Sequence, residues 1–212
     1  MEYIFILIVF RQLGNISIDV KRDNIGSLSL SGHKFYGPKG IGICYINEKI
    51  PFLRIQDGGH QENDKRAGTE SVPLIVGISK ALEIASNNLT EYNRHIKSLR
   101  DYYIYEINRR IPYVRINGDL EKRLPGNANF CFKGVSGSKL LSYLDEKGIC
   151  ASSGSACSSG FLNPSHVLLA IGVPKELARS SLRVTFGKDN TIEDTKYLVD
   201  CIEEYVSKSR NV

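Results

Sequence analysis

Leu89, Tyr92, Ile96, Leu99, Tyr103 and Ile107 step along the chain by 3, 4, 3, 4 and 4. Only a helix brings residues with that spacing onto one face. The run predicts a helix of about five turns, with Glu91, Arg94, Lys97 and Arg100 on the other face and Pro112 just past its end. Around it the period changes repeatedly. Ile4 to Phe10 is a short apolar run of strand type, Ile16 to Val20 alternates, and Ser27 to Ser31 and Gly42 to Ile46 are short strands. Ser71-Val-Pro73 opens a helix with its apolar face on Leu74, Ile78, Leu82 and Ala85. Tyr113 to Ile116, Asn129 to Phe132 and Ser181 to Phe186 read as strands, and Lys139 to Glu146 as a helix stopped by Gly148. Thr191-Ile-Glu-Asp194 resembles a capping box that starts a last helix. Strands and helices interleaved in this way predict an α/β fold. A domain boundary is expected near residue 87, giving a first domain of 1–87 and a second of 88–212.

Composition removes several alternatives. Hydrophobic residues make up 42% and charged residues 24% of the 212, which suits a packed core rather than a disordered chain. The seven apolar residues from Ile4 fall far short of the roughly 20 that span a bilayer, so no membrane segment is expected. A net charge of +5 without a basic run gives no signature of direct nucleic-acid binding. Five cysteines without a CxxC pair indicate neither a disulfide framework nor a zinc site, and point to a reducing cytoplasm. No metal ligand set is expected. Cys44, Cys131, Cys150 and Cys201 read as core thiols.

Three segments hold more small and reactive residues than packing requires. Ser31-Gly-His-Lys-Phe-Tyr-Gly-Pro-Lys-Gly40 sets Lys34 in an irregular, glycine-rich backbone where a strand ends. A desolvated lysine there can form a Schiff base with an aldehyde, and Ser31 and His33 can donate hydrogen bonds to a phosphate. Gly58-Gly-His-Gln-Glu62 and Arg66-Ala-Gly-Thr-Glu70 place Arg66 and Thr69 just before a helix start, a setting that suits an anion. Ala151-Ser-Ser-Gly-Ser-Ala-Cys-Ser-Ser-Gly160 is too polar for core and carries Cys157, a thiol free to ionise and act as a nucleophile. In Ser181-Leu-Arg-Val-Thr-Phe186, Arg183 points to the face opposite Leu182 and Val184, where it can grip a carboxylate.

Taken in order, these motifs resemble the cysteine desulfurases, class V aminotransferase-like enzymes with the type I pyridoxal-phosphate fold. The resemblance runs from about Leu13 to the end of the sequence and corresponds to the C-terminal part of the family chain. It implies a remnant of the large cofactor-binding domain in residues 1–87 and the complete small domain in 88–212. Lys34 would hold pyridoxal 5'-phosphate and move the substrate proton. Ser31 and His33 would contact the cofactor phosphate, and Thr69 the phosphate of the cofactor in a homodimer partner. Arg183 would bind the carboxylate of L-cysteine. Cys157 would take its sulfur as a persulfide for an acceptor protein, an iron–sulfur scaffold or a tRNA-thiolation enzyme. Two positions depart from the family. Ile8 stands where the family has the aspartate facing the pyridinium nitrogen, and Arg11 where it has a glutamine. A non-catalytic remnant that dimerises or carries sulfur is therefore the rival reading, with a related class V enzyme such as a selenocysteine lyase a third.

Overall fold

A computed structural model describes residues 6–8, 16–54, 56–153 and 164–210. The chain divides into two compact units, one running to Tyr92 and the other starting at Asn93.

The first unit holds a three-stranded sheet, β1 (Ile6–Ile8), β2 (Ser27–Ser31) and β3 (Gly42–Ile46), in the order β1-β2-β3. β1 runs parallel to β2, and β3 antiparallel to it. The alternation of β2 turns Leu28 and Leu30 inward, where they meet Ile25, Phe35, Ile78 and Ala85. Ile78 and Ala85 come from α2 (Val72–Asn87), which has proline in its first turn. The expected apolar face holds: Ile78 and Ala85 are buried, and Leu82 packs beside them. A single turn, α1 (Gln61–Asp64), precedes it. The alternating Ile16–Val20 segment is not a strand. Asp19 caps the backbone N–H groups of Lys21 and Arg22 at 3.0 Å, and this local bonding bends the chain into a turn.

The second unit carries most of α3 (Leu89–Arg110), β4 (Val114–Ile116), β5 (Asn127–Phe132), α4 (Gly137–Glu146), α5 (His166–Ala170), α6 (Lys175–Ala178), β6 (Ser181–Thr185) and α7 (Ile192–Arg210). Its sheet is antiparallel, in the order β4-β5-β6. Ile96, Leu99, Tyr103 and Ile107 of the α3 stripe pack on Phe130, Leu182, Val199 and Ile202. Tyr103 sits edge-on to Phe130 and Phe186, with ring centroids 5.8 Å away in both cases. Arg100 does not lie on the solvent face with the other charges. It is 3% exposed and reaches Asp101 at 2.6 Å and the Leu124 carbonyl at 3.5 Å, so its guanidinium is paired within the fold. α7 starts with the expected reciprocal cap: Asp194 N–H donates to Thr191 Oγ1 at 3.1 Å, and Thr191 N–H to Asp194 Oδ2 at 2.9 Å. Among the described residues, no helix is long and apolar enough to cross a membrane.

Candidate active site

The backbone that presents Lys34 is fixed by steric contact. β2 ends at Ser31, and the chain enters a 3-10 turn, Gly32–Phe35. Gly32 and Phe35 face the core, which turns His33 and Lys34 outward. Two bonds close the loop: Gly32 N–H donates to the Ile41 carbonyl and Gly37 N–H to the Gly32 carbonyl, each at 3.0 Å. A Cβ at Gly32 would lie 2.9 Å from the Pro38 carbonyl oxygen, and one at Gly37 2.9 Å from the Gly32 carbonyl oxygen. Both glycines are therefore required by close backbone approach. Ser31 Oγ lies 3.0 Å from His33 Nδ1. Ser31, His33 and Lys34 thus share one short, rigidly closed segment.

Lys34 itself is exposed, which corrects the expectation of a desolvated lysine. The three-residue period of the turn sends the side chains flanked by Gly32 and Phe35 away from the core.

Thr69 belongs to a different surface of the first unit. Together with Arg66 it lines a cleft of about 600 Å³ between β3 and α2, which none of Ser31, His33 and Lys34 borders. Around it, Gly68 has a φ of +104° and accepts a bond from Arg66 Nη1 at 3.4 Å, while its N–H donates to Gln61 Oε1 at 3.1 Å. Sequence reasoning did not find this cleft. Its walls come from segments distant in the chain, such as Phe52 and Leu74, and no local pattern joins them.

In the second unit Arg183 is half-buried between the fully inward Leu182 and Val184, as the alternation of β6 requires. Its backbone is tied to the segment that leads towards Cys157. Arg183 N–H donates to the Ser152 carbonyl at 2.6 Å, and Ser152 N–H to the Arg183 carbonyl at 3.2 Å. The hydroxyl of Ser181, a residue 1% exposed, donates to the Ser153 carbonyl at 2.7 Å. Ser181 was missed in the sequence, where it read only as the first residue of a strand. Cys157 and Arg11 lie outside the described residues.

The remaining thiols divide. Cys131 and Cys201 are buried as expected, and burial pushes the Cys131 thiol up. Cys44 and Cys150 are exposed, against expectation. Cys44 sits on the outer strand of its sheet and Cys150 on the loop after α4, where apolar neighbours in sequence do not supply cover.

Residues 10–198 match the sequence profile of the class-V aminotransferases. The chain belongs to that family. It is similar to "Cysteine desulfurase IscS" of Clostridium botulinum (strain Hall), with 46% identity over 202 residues, 94% of this chain and 51% of the relative. A protein of the same name from Methanosarcina thermophila is also 46% identical, over 94% of this chain and 49% of the relative. Among solved structures, a "NifS-like protein" superposes with a TM-score of 0.87 at 33% identity, covering 97% of this chain and 53% of the other. The NifS-like protein of Rickettsia africae gives 0.84 at 27% identity, with the same coverage. The mixed α/β architecture is thus that of the NifS-like proteins. The chain spans about half the length of these relatives.

Membership makes pyridoxal phosphate the cofactor against which the residues are tested. The phosphate and aldehyde side fits: hydroxyl, imidazole and amine groups are grouped on one segment whose backbone packs too closely for any residue but glycine at 32 and 37. β1 sets Ile8 in register with Ser29 of β2, and isoleucine carries no hydrogen-bonding side-chain group.

Proposed function

We propose that this chain is the cofactor-lysine and sulfur-accepting part of a cysteine desulfurase. It converts L-cysteine to L-alanine and retains the sulfur as a persulfide. The observation that carries this reading is the grouping of Ser31, His33 and Lys34 on one closed turn at the end of β2. Residues 1–87 are then part of the large cofactor-binding domain, and residues 88–212 the small domain.

Lys34 is the residue that would hold pyridoxal phosphate, with Ser31 and His33 against the phosphate. When bound, this cofactor supplies an electron sink for the bonds around the substrate Cα. The amine of Lys34 would accept and return the proton at that carbon. Arg183 grips the carboxylate of L-cysteine by charge-assisted hydrogen bonds. The Cys157 thiolate accepts the substrate sulfur, so the two thiol sulfurs end as one persulfide and the carbon skeleton leaves as alanine. The bond between Ser181 and Ser153, together with the Ser152–Arg183 pairing, ties the root of the Cys157 segment to the strand that carries the carboxylate clamp.

The reading extends to two partners. A second copy would complete the site, with Thr69 reaching the cofactor phosphate of its partner. An acceptor protein, an iron–sulfur scaffold or a tRNA-thiolation enzyme, would collect the sulfur in the cytoplasm. Ile8 and the half-length match favour one rival, a non-catalytic remnant that carries sulfur without making it. Incubation with pyridoxal phosphate and L-cysteine, followed by intact mass and alanine assay, separates the two. Alanine formed together with a 32 Da gain at Cys157, absent in Cys157→Ser, supports the desulfurase (a sulfur atom adds about 32 Da). A persulfide that forms only from an added donor, with no alanine, supports the remnant.

A further inference from the structure

Gly77 stands in the interior of α2, a place where glycine is disfavoured against alanine. The space left by its missing side chain is taken by the ring of Pro38. A Cβ at Gly77 would lie 2.7 Å from Pro38 Cγ and 3.4 Å from Pro38 Cδ. The ring is closed on its own backbone nitrogen and cannot swing aside as a flexible side chain would. Added bulk at position 77 therefore has to move the backbone at position 38.

That backbone is packed into the turn that carries Lys34. The Pro38 carbonyl oxygen lies 2.9 Å from the place of a Gly32 Cβ, and Ile78 Cδ1 lies 3.1 Å from the same place. Ala81 Cβ, one helical turn after Gly77, lies 3.2 Å from the place of a Gly37 Cβ. Between these contacts sits Tyr36, with a φ of +66°. A bulky residue is strained in the left-handed region, and it stays there only where its surroundings hold it. Gly77, Ile78 and Ala81 make α2 the surface that holds this stretch of chain. Lys34 itself is exposed, so the backbone of the turn sets the direction in which its side chain leaves.

We propose that Gly77 is a positioning residue for Lys34. It acts through Pro38, seating the lysine turn on α2 so that the amine is presented at a fixed place for the aldehyde of the cofactor. This deepens the desulfurase reading and rests on it, since Lys34 has to be the residue that takes the cofactor. Alanine at position 77 favours the helix and at the same time drives the Pro38 ring and the turn away from it. Loss of lysine reactivity in Gly77→Ala would then have its origin in the turn and not in a weakened helix.

The test compares the 212-residue parent, Gly77→Ala, Pro38→Ala and the double variant. Each is incubated with pyridoxal phosphate and reduced with borohydride, and the rate of labelling at Lys34 is read by peptide mass spectrometry against Lys80, an exposed lysine of α2. Gly77→Ala should slow labelling at Lys34 by about tenfold to a hundredfold and leave Lys80 unchanged, because a small misplacement of a reacting group is costly. Amide exchange should quicken at Gly32 and Gly37, whose bonds close the turn, while protection along α2 persists. Pro38→Ala removes Cγ and Cδ, so the double variant should label at Lys34 and exchange at Gly32 and Gly37 as Pro38→Ala alone does. That rescue separates positioning from general destabilisation, which removal of the ring would not repair, and it decides the matter even if Gly77→Ala fails to fold. The proposal is overturned if the parent labels at Lys34 and Gly77→Ala labels as fast, or if the double variant is no better than Gly77→Ala. A parent that takes no label at Lys34 is a different result, and overturns the desulfurase reading itself.

Discussion

At the scale of single residues, charge and burial make opposite demands. Tyr103 is fully buried, and its hydroxyl has no hydrogen-bond partner among the described residues. Burial pushes its phenol well above the usual range, so it stays neutral at any working pH. Tyr103→Phe keeps both edge-on ring contacts and removes the unpaired hydroxyl. Thermal melts should show the variant at least as stable as the parent, by up to about 1 kcal/mol, because an unmade buried bond costs more than its absence. Glu106 is the contrary case. Arg109, first, and Arg110 hold its carboxylate down to about 2, from contacts of 2.7 and 2.6 Å. A carboxyl with a depressed folded pKa contributes stability above its unfolded value of 4.5, and loses it as pH falls from there to about 2. Melting temperatures of Glu106→Gln and the parent should thus differ at pH 7 and converge as pH is lowered through that window. Which of these residues matter was only partly legible. The stripe of α3 gave Tyr103 as core, but Arg100 carried the same polar signal as Lys97 and is buried all the same, because its partners Asp101 and the Leu124 carbonyl are fixed by the fold.

At the scale of elements, the parts set by neighbours in sequence were readable and the parts set by distant segments were not. The Thr191–Asp194 cap and the Gly148 stop, with φ at +76°, involve residues within a few positions of each other. Thr191→Ala should therefore destabilise the second unit by about 1 kcal/mol, measured by urea titration. Ile16–Val20 failed as a strand because Asp19 offers its own carboxylate to the chain, a competition that alternation does not report. Cys44 failed as core because a strand's position in its sheet depends on which strands flank it. The site divides in the same way. Ser31, His33 and Lys34 were legible as a group because they are contiguous. The bond from Ser181 to Ser153 and the cleft holding Thr69 join residues far apart in sequence, and only the fold brings them together. Arg183→Lys keeps the charge but loses the two-pronged geometry, so it should raise KM for L-cysteine about tenfold or more with a smaller change in kcat.

At the scale of the whole chain, the two units carry very different cores. Among the described residues, the second has nineteen buried residues in one cluster, and the main cluster of the first has six. A fragment of residues 88–212, which keeps α3 entire, should fold alone and unfold in one cooperative transition, as followed by circular dichroism in urea. The first unit holds the lysine on which the account turns, and a wide cleft lies beside β3. The measurement that tests the account most directly is borohydride reduction of the 212-residue protein after incubation with pyridoxal phosphate, with the labelled lysine located by peptide mass spectrometry. The account predicts one label per chain at Lys34, lost in Lys34→Ala and weakened when Ser31 and His33 are both replaced by alanine. No label, or label spread over surface lysines with Lys34 no more reactive than the rest, would contradict it.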